Sequence, residues 1–160
     1  MTRLERWALH LAALATALTG LAYGWARYFG QRQGEFGPEP HPLQGLFQHG
    51  HVLASPILLF ALGVVIKGHA LPALRARRPQ GRFSGWGLLL LLAPLALSGY
   101  TLQVCVDPRW RNAIAWCHGP LGLTFLLAYA AHFLTSARHA LQRRPCEGMM
   151  EAEGSRSSAG

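Results

Sequence analysis

Eight histidines fall in a chain of 160 residues, and they are the side chains with the most chemistry to offer. Neutral imidazole is the commonest metal ligand. An ionisable residue inside a bilayer-length apolar run is costly enough to be a functional candidate by default. His132 lies well inside such a run, His10 and His118 lie within a turn or two of run ends, and His49 and His51 lie near the start of another. His118 and His132 are 14 residues apart. On a helix that is ~1400° of rotation, within ~40° of one face, and ~21 Å along the axis. This spacing suits two haem irons stacked across a membrane, each needing a second axial ligand from a facing helix at the same depth.

The composition says what kind of element must carry them. The chain is 51% hydrophobic and 14% charged, whereas an ordinary soluble domain carries about 25% charged residues. That excludes a water-soluble enzyme with a separate core and surface. The apolar content excludes a disordered basic tail, and three cysteines exclude a disulfide-dense mini-protein. A net charge of +8 suits nucleic acid only where arginines line one face of a folded domain. Here they lie between apolar runs, so no nucleic-acid partner is expected. A membrane-crossing helix needs about 20 mainly apolar residues, and four segments qualify: about 7–29, 46–70, 85–106 and 111–136. The expected fold is all-α, an integral membrane four-helix bundle over residues 1–140 with up-down topology, followed by a disordered tail over 141–160. Breakers separate the spans: Gly34, Gly37, Pro38, Pro40 and Pro42, then Pro72, Pro79 and Gly81, then Asp107-Pro108. Arg3 and Arg6 before an apolar run also describe a signal peptide, but the run is long and no small-x-small site closes it, so it is read as a retained span.

Lysine and arginine set the orientation. With the N-terminus inside, eleven of the fifteen Lys and Arg fall on the inner side and only Arg27, Arg32, Arg109 and Arg111 outside. Both termini are therefore expected in the cytoplasm, and the basic balance is mostly sidedness, with added affinity for anionic headgroups.

Depth then restricts the ligand pairs. At the inner depth of His132 the candidates are His10 on the first helix and His69 on the second; His10 is preferred, because His69 follows Lys67 and borders the basic loop. At the outer depth of His118 the candidates are His49 and His51, which point ~200° apart on one helix. His51 is favoured as one step deeper in the apolar run. A lone histidine at a helix end is more often an interfacial anchor than a ligand, and His41, His69 and His139 are read that way, with His49 and His69 kept as alternates. Gly20, Gly63, Gly99 and Gly122 within spans allow close approach of a neighbour or a porphyrin, while Arg6, Arg111 and Arg138 could pair with propionates or serve sidedness alone.

With Arg6, His10, Thr19-Gly20 and the His118/His132 pair on the page, the chain resembles the di-haem cytochrome b membrane subunits of formate dehydrogenases and nickel–iron hydrogenases and their prokaryotic relatives. That family carries an arginine shortly before the first-helix histidine, a Thr-Gly about ten residues after it, and two histidines 14 apart on the fourth helix. The resemblance spans about Arg3 to His139; Leu11 stands where the family commonly has tryptophan. It implies an inner haem held by His10 and His132 and an outer haem held by His118 and a histidine at the start of the second helix.

The expected function is electron transfer by two b-type haems, or one, between a quinone and a partner redox protein in a bacterial-type inner membrane. The chain has no nucleotide loop, flavin motif or iron–sulfur cysteine set, so it is expected to be a carrier or subunit rather than a self-contained enzyme. Cys117-His118 lacks the upstream cysteine of a c-type attachment motif. Cys105 and Cys117 flank a short outer loop, which leaves a disulfide open, as is homo-oligomerisation. The competing readings are a histidine-lined metal-ion or proton carrier without haem and a structural membrane protein.

Overall fold

The structure is a computed structural model that describes residues 2–75 and 82–138, with helical backbone carried on to Ser157. In the segment expected as a disordered tail, 141–160, the backbone stays helical to Ser157, while 158–160 and the side chains from His139 onward lie outside the described residues. Within the described chain the protein is all-α apart from one short sheet, and its long helices divide into two compact units, residues 1–77 and 78–160.

The first unit is a helical hairpin. Helix α1, Arg3–Tyr28, begins four residues before the expected span. Thr2 and Glu5 close a capping box: Thr2 Oγ1 accepts the Glu5 N–H at 3.2 Å, and the Glu5 carboxylate accepts the Thr2 N–H at 2.8 Å. Strands β1, Arg32–Gly34, and β2, Gly37–Glu39, form a tight antiparallel pair inside the first breaker-rich connection, where the sequence pattern predicts no strand. The turn needs Gly37, whose φ of 121° is a conformation side chains rarely tolerate. Helix α2, Gln44–Val65, continues through a π-helical turn, Ile66–Ala70, into the short helix α3, Leu71–Arg75. Contacts of Trp25 with His41, Thr19 with Gly50 and Thr16 with His51 descend one helix as they ascend the other, so α1 and α2 pack antiparallel.

The second unit repeats the plan with α4, Arg82–Val104, and α5, Pro108–Ser157. Asp107-Pro108 does more than end a helix. Asp107 Oδ1 accepts the N–H groups of Arg109 and Trp110 at 2.8 and 3.1 Å, and proline at the first helical position lacks the N–H that would otherwise go unpaired. This cap starts α5 three residues earlier than the apolar pattern suggests. Asp107→Ala is expected to cost about 0.5–2 kcal/mol, seen as a lowered Tm in detergent, with Asp107→Asn close to wild type.

Four segments are long and apolar enough to cross a membrane: Arg3–Tyr28, Gln44–Ala70, Ser84–Val104 and Pro108–Arg138. The shortest, 21 residues, extends ~31 Å at ~1.5 Å per residue, against a hydrocarbon core of ~30 Å. Their surfaces fit that solvent. Leu53, Phe60, Leu90 and Leu97 are about 70% or more exposed at 71, 77, 70 and 69%, which water would penalise and lipid would not. Hydroxyls within the helices fold back on carbonyls one turn earlier, as Thr16 does on Ala12, Ser55 on His51 and Thr124 on Pro120, at 2.7–2.9 Å. In a bilayer, where no water can satisfy them, polar groups need such internal partners.

Candidate metal-ligating histidines

Burial separates the histidines into two sets. The four expected ligands His10, His51, His118 and His132 are half-buried, as is His41, whereas the alternates His49 and His69 are exposed. His69 stands on the π-helical turn beside Lys67. His49 and His51, two positions apart on α2, point to different sides of the helix, and it is His51 that turns toward α1.

In the first unit, His51 Nδ1 lies 3.0 Å from the Thr16 carbonyl oxygen. A carbonyl only accepts, so Nδ1 carries the hydrogen and, in the neutral ring, the lone pair resides on Nε2. The ring rests on Gly20: a β-carbon built there would stand 2.8 Å from Cε1 and 2.9 Å from Nδ1 of His51. One residue back along α2, Gly50 gives similar room to Thr19, at 3.3 Å. The Thr19-Gly20 pair therefore occupies the helix contact beside His51, about two and a half to three turns along α1 from His10.

In the second unit, His118 Nδ1 lies 2.9 Å from Ser98 Oγ, and His132 Nδ1 lies 2.8 Å from Ser84 Oγ. A β-carbon on Gly99 would come within 3.1 Å of His118 Cε1. The two histidines share their face with Phe125, seven residues from each and buried. His51 and His118 are thus held by the same device: Nδ1 bonded to an oxygen on the preceding helix, and the ring seated against a glycine of that helix.

His41 has the opposite polarity. Its Nδ1 accepts the Leu43 N–H at 3.2 Å, and its ring meets Trp25 edge-on at 5.3 Å between centroids. The lone pair at Nδ1 is engaged by backbone, which suits the structural, interfacial part expected of it. Arg6, Arg111 and Arg138 are exposed. Arg27 instead donates to the Tyr23 hydroxyl at 3.2 Å and lies over the Tyr28 ring at 5.7 Å. Cys105 and Cys117 are free thiols; the α4–α5 register that sets Ser98 against His118 places Cys117 near Gly99, six residues from Cys105.

Among the described residues no three His, Cys, Asp or Glu gather as a metal-ion site. An ion bound by protein alone needs such a set, typically four ligands for structural zinc and three in a catalytic site. Haem iron asks less of the chain, because the macrocycle supplies four nitrogens and the protein only the axial ones. Single, oriented, half-buried imidazoles with glycines beside them fit that requirement.

Sequence reasoning named all five half-buried histidines, reading His41 as an anchor, and the glycines against His51 and His118. It missed Thr16, Ser84 and Ser98. Thr16 contributes a backbone carbonyl, which no side-chain pattern advertises. The serines did leave a signal, since Ser84 and Ser98 are 14 residues apart, the spacing of His118 and His132.

No family model matches the chain, and no curated protein or solved structure matches it significantly.

Proposed function

We propose that the chain is a membrane electron-transfer protein of the di-haem cytochrome b type, carrying two b-type haems with bis-histidine ligation. The observation that carries this reading is the set of half-buried histidines whose Nδ1 atoms are hydrogen-bonded from the preceding helix, two of them 14 residues apart on one face of α5. The absence of a three-ligand cluster among the described residues favours haem over an ion held by protein alone. The ligand pairs are those read from the sequence, His51 with His118 for the outer haem and His10 with His132 for the inner.

Bound haem supplies a one-electron couple. The chain's own residues do the rest: they offer imidazole nitrogens as ligands and hold the rings of His51, His118 and His132 through Nδ1. Quinone and a partner redox protein are the proposed exchange partners, and a bacterial-type inner membrane the proposed location. A reduced-minus-oxidised spectrum of the purified full chain should show the sharp bands of low-spin haem b; colourless protein that retains zinc or copper would favour the metal-carrier reading.

The proposed orientation has its own test. With both termini cytoplasmic, a membrane-impermeant maleimide added outside intact cells should label Cys105, between α4 and α5, and should reach Cys146 only after lysis. The reverse pattern overturns the sidedness and leaves the haem reading standing.

A further inference from the structure

The two serines of α4 and the two histidines of α5 share one spacing and one antiparallel register, Ser98 against His118 and Ser84 against His132. We infer that Ser98 and Ser84 are positioning residues that fix the tautomer and ring plane of His118 and His132 so that Nε2 is the ligating atom. What binds there rests on the cytochrome reading; the tautomer does not.

The argument is firmest at Ser98. Its hydroxyl has one hydrogen, and it donates it to the Leu95 carbonyl at 3.0 Å. A carbonyl cannot donate, so the contacts to Leu95 and to His118 are both hydrogen bonds only when the hydroxyl hydrogen points at Leu95 and Nδ1 carries its own. The Ser98 oxygen then meets His118 Nδ1, 2.9 Å away, as an acceptor, and Nδ1 must be the donor. A neutral imidazole has one N–H, so the lone pair of His118 is on Nε2. Gly99, the next residue, lets the α4 backbone close on the ring. At the other end of the register Ser84 stands in the same relation to His132, and the inference assigns it the same acceptor role. The first unit reaches the same polarity by another route, through the Thr16 carbonyl on His51. An Nδ1–H···O bond makes the opposite nitrogen a more basic ligand, which favours oxidised over reduced iron.

The test uses the full chain labelled with 15N-histidine, produced without haem in detergent micelles, with signals assigned by loss in His118→Ala and His132→Ala. His118 should show the Nδ1–H form, against the Nε2–H form that free neutral imidazole prefers. Ser98→Ala should shift His118 toward Nε2–H and leave His132 in place, Ser98→Thr should restore the wild-type signal, and Ser84→Ala should act on His132 alone. In haem-loaded protein Ser98→Ala should raise the midpoint potential of one haem, with Ser98→Thr near wild type. An Nε2–H form of His118 in wild type, or a tautomer unmoved by Ser98→Ala, overturns the inference. If the protein binds no haem while His118 is Nδ1–H, the cytochrome reading fails and the serine assignment survives. Haem-loaded protein with an Nε2–H His118 before loading has the opposite meaning.

Discussion

Under the proposed ligation, His118→Ala should remove about one of two haems from the purified chain, and His51→Ala should remove the same one. The groups bonded to Nδ1 or seated against the two rings, a serine hydroxyl, a backbone carbonyl and glycines, do not replace an axial imidazole. Haem per chain should fall by about half in each single variant and no further in the double variant, since the proposal assigns both residues to one iron. His132→Ala should remove the other haem, so His118→Ala with His132→Ala should leave almost none. The controls are within the chain. His41→Ala and His49→Ala should keep full haem content, since His41 engages Nδ1 with the Leu43 N–H and His49 is exposed. Pyridine haemochrome assays normalised to protein measure all of these. Equal haem in wild type, His118→Ala and His51→Ala would remove both residues from the ligand set.

The second large effect is expected from a single methyl group. Gly20→Ala places a carbon 2.8 Å from His51 Cε1, well inside van der Waals contact. The ring cannot swing aside without giving up its bond to the Thr16 carbonyl, so either the helices separate or the histidine turns. Overpacking of this kind costs about 1–3 kcal/mol. It should lower Tm and reduce haem toward one per chain, because the damaged contact orients only one ligand. Gly24→Ala, one turn further along α1, is the control: nothing lies within 4 Å of a β-carbon there. Replacing glycine by alanine within a helix is otherwise favourable by roughly 0.5–1 kcal/mol, so Gly24→Ala should be neutral or stabilising. If both variants behave alike, the Gly20–His51 contact is not a constraint in the folded protein.

The four spans are legible in the sequence because a bilayer demands long uninterrupted apolar runs, and such runs have no other good explanation at this length. Their ends are less legible. Asp107-Pro108 reads equally as a break or as a cap, and only the bonds from Arg109 and Trp110 to the Asp107 carboxylate decide it. The β1–β2 pair was hidden because Gly and Pro signal a turn without saying that the flanking three-residue strands will pair.

At the site, residue type and helical phase brought out the histidines, while their second contacts stayed hidden for different reasons. A carbonyl such as that of Thr16 belongs to every residue, so only the packed register identifies it. Serine in an apolar helix ordinarily bonds back to its own helix, as Ser55 does to His51. That habit masks the part of Ser98, which bonds back to Leu95 and reaches across to His118 together. The choice of His51 over His49 in the proposed site rests on burial that helical phase anticipates only weakly, since both begin the same apolar run.

The most direct measurement is the haem content of the purified, full-length wild-type chain. Pyridine haemochrome analysis against protein determined by amino-acid analysis should give about two haem b per chain, with both centres low-spin. A colourless protein that stays haem-free when expressed with ample haem supply would contradict the account.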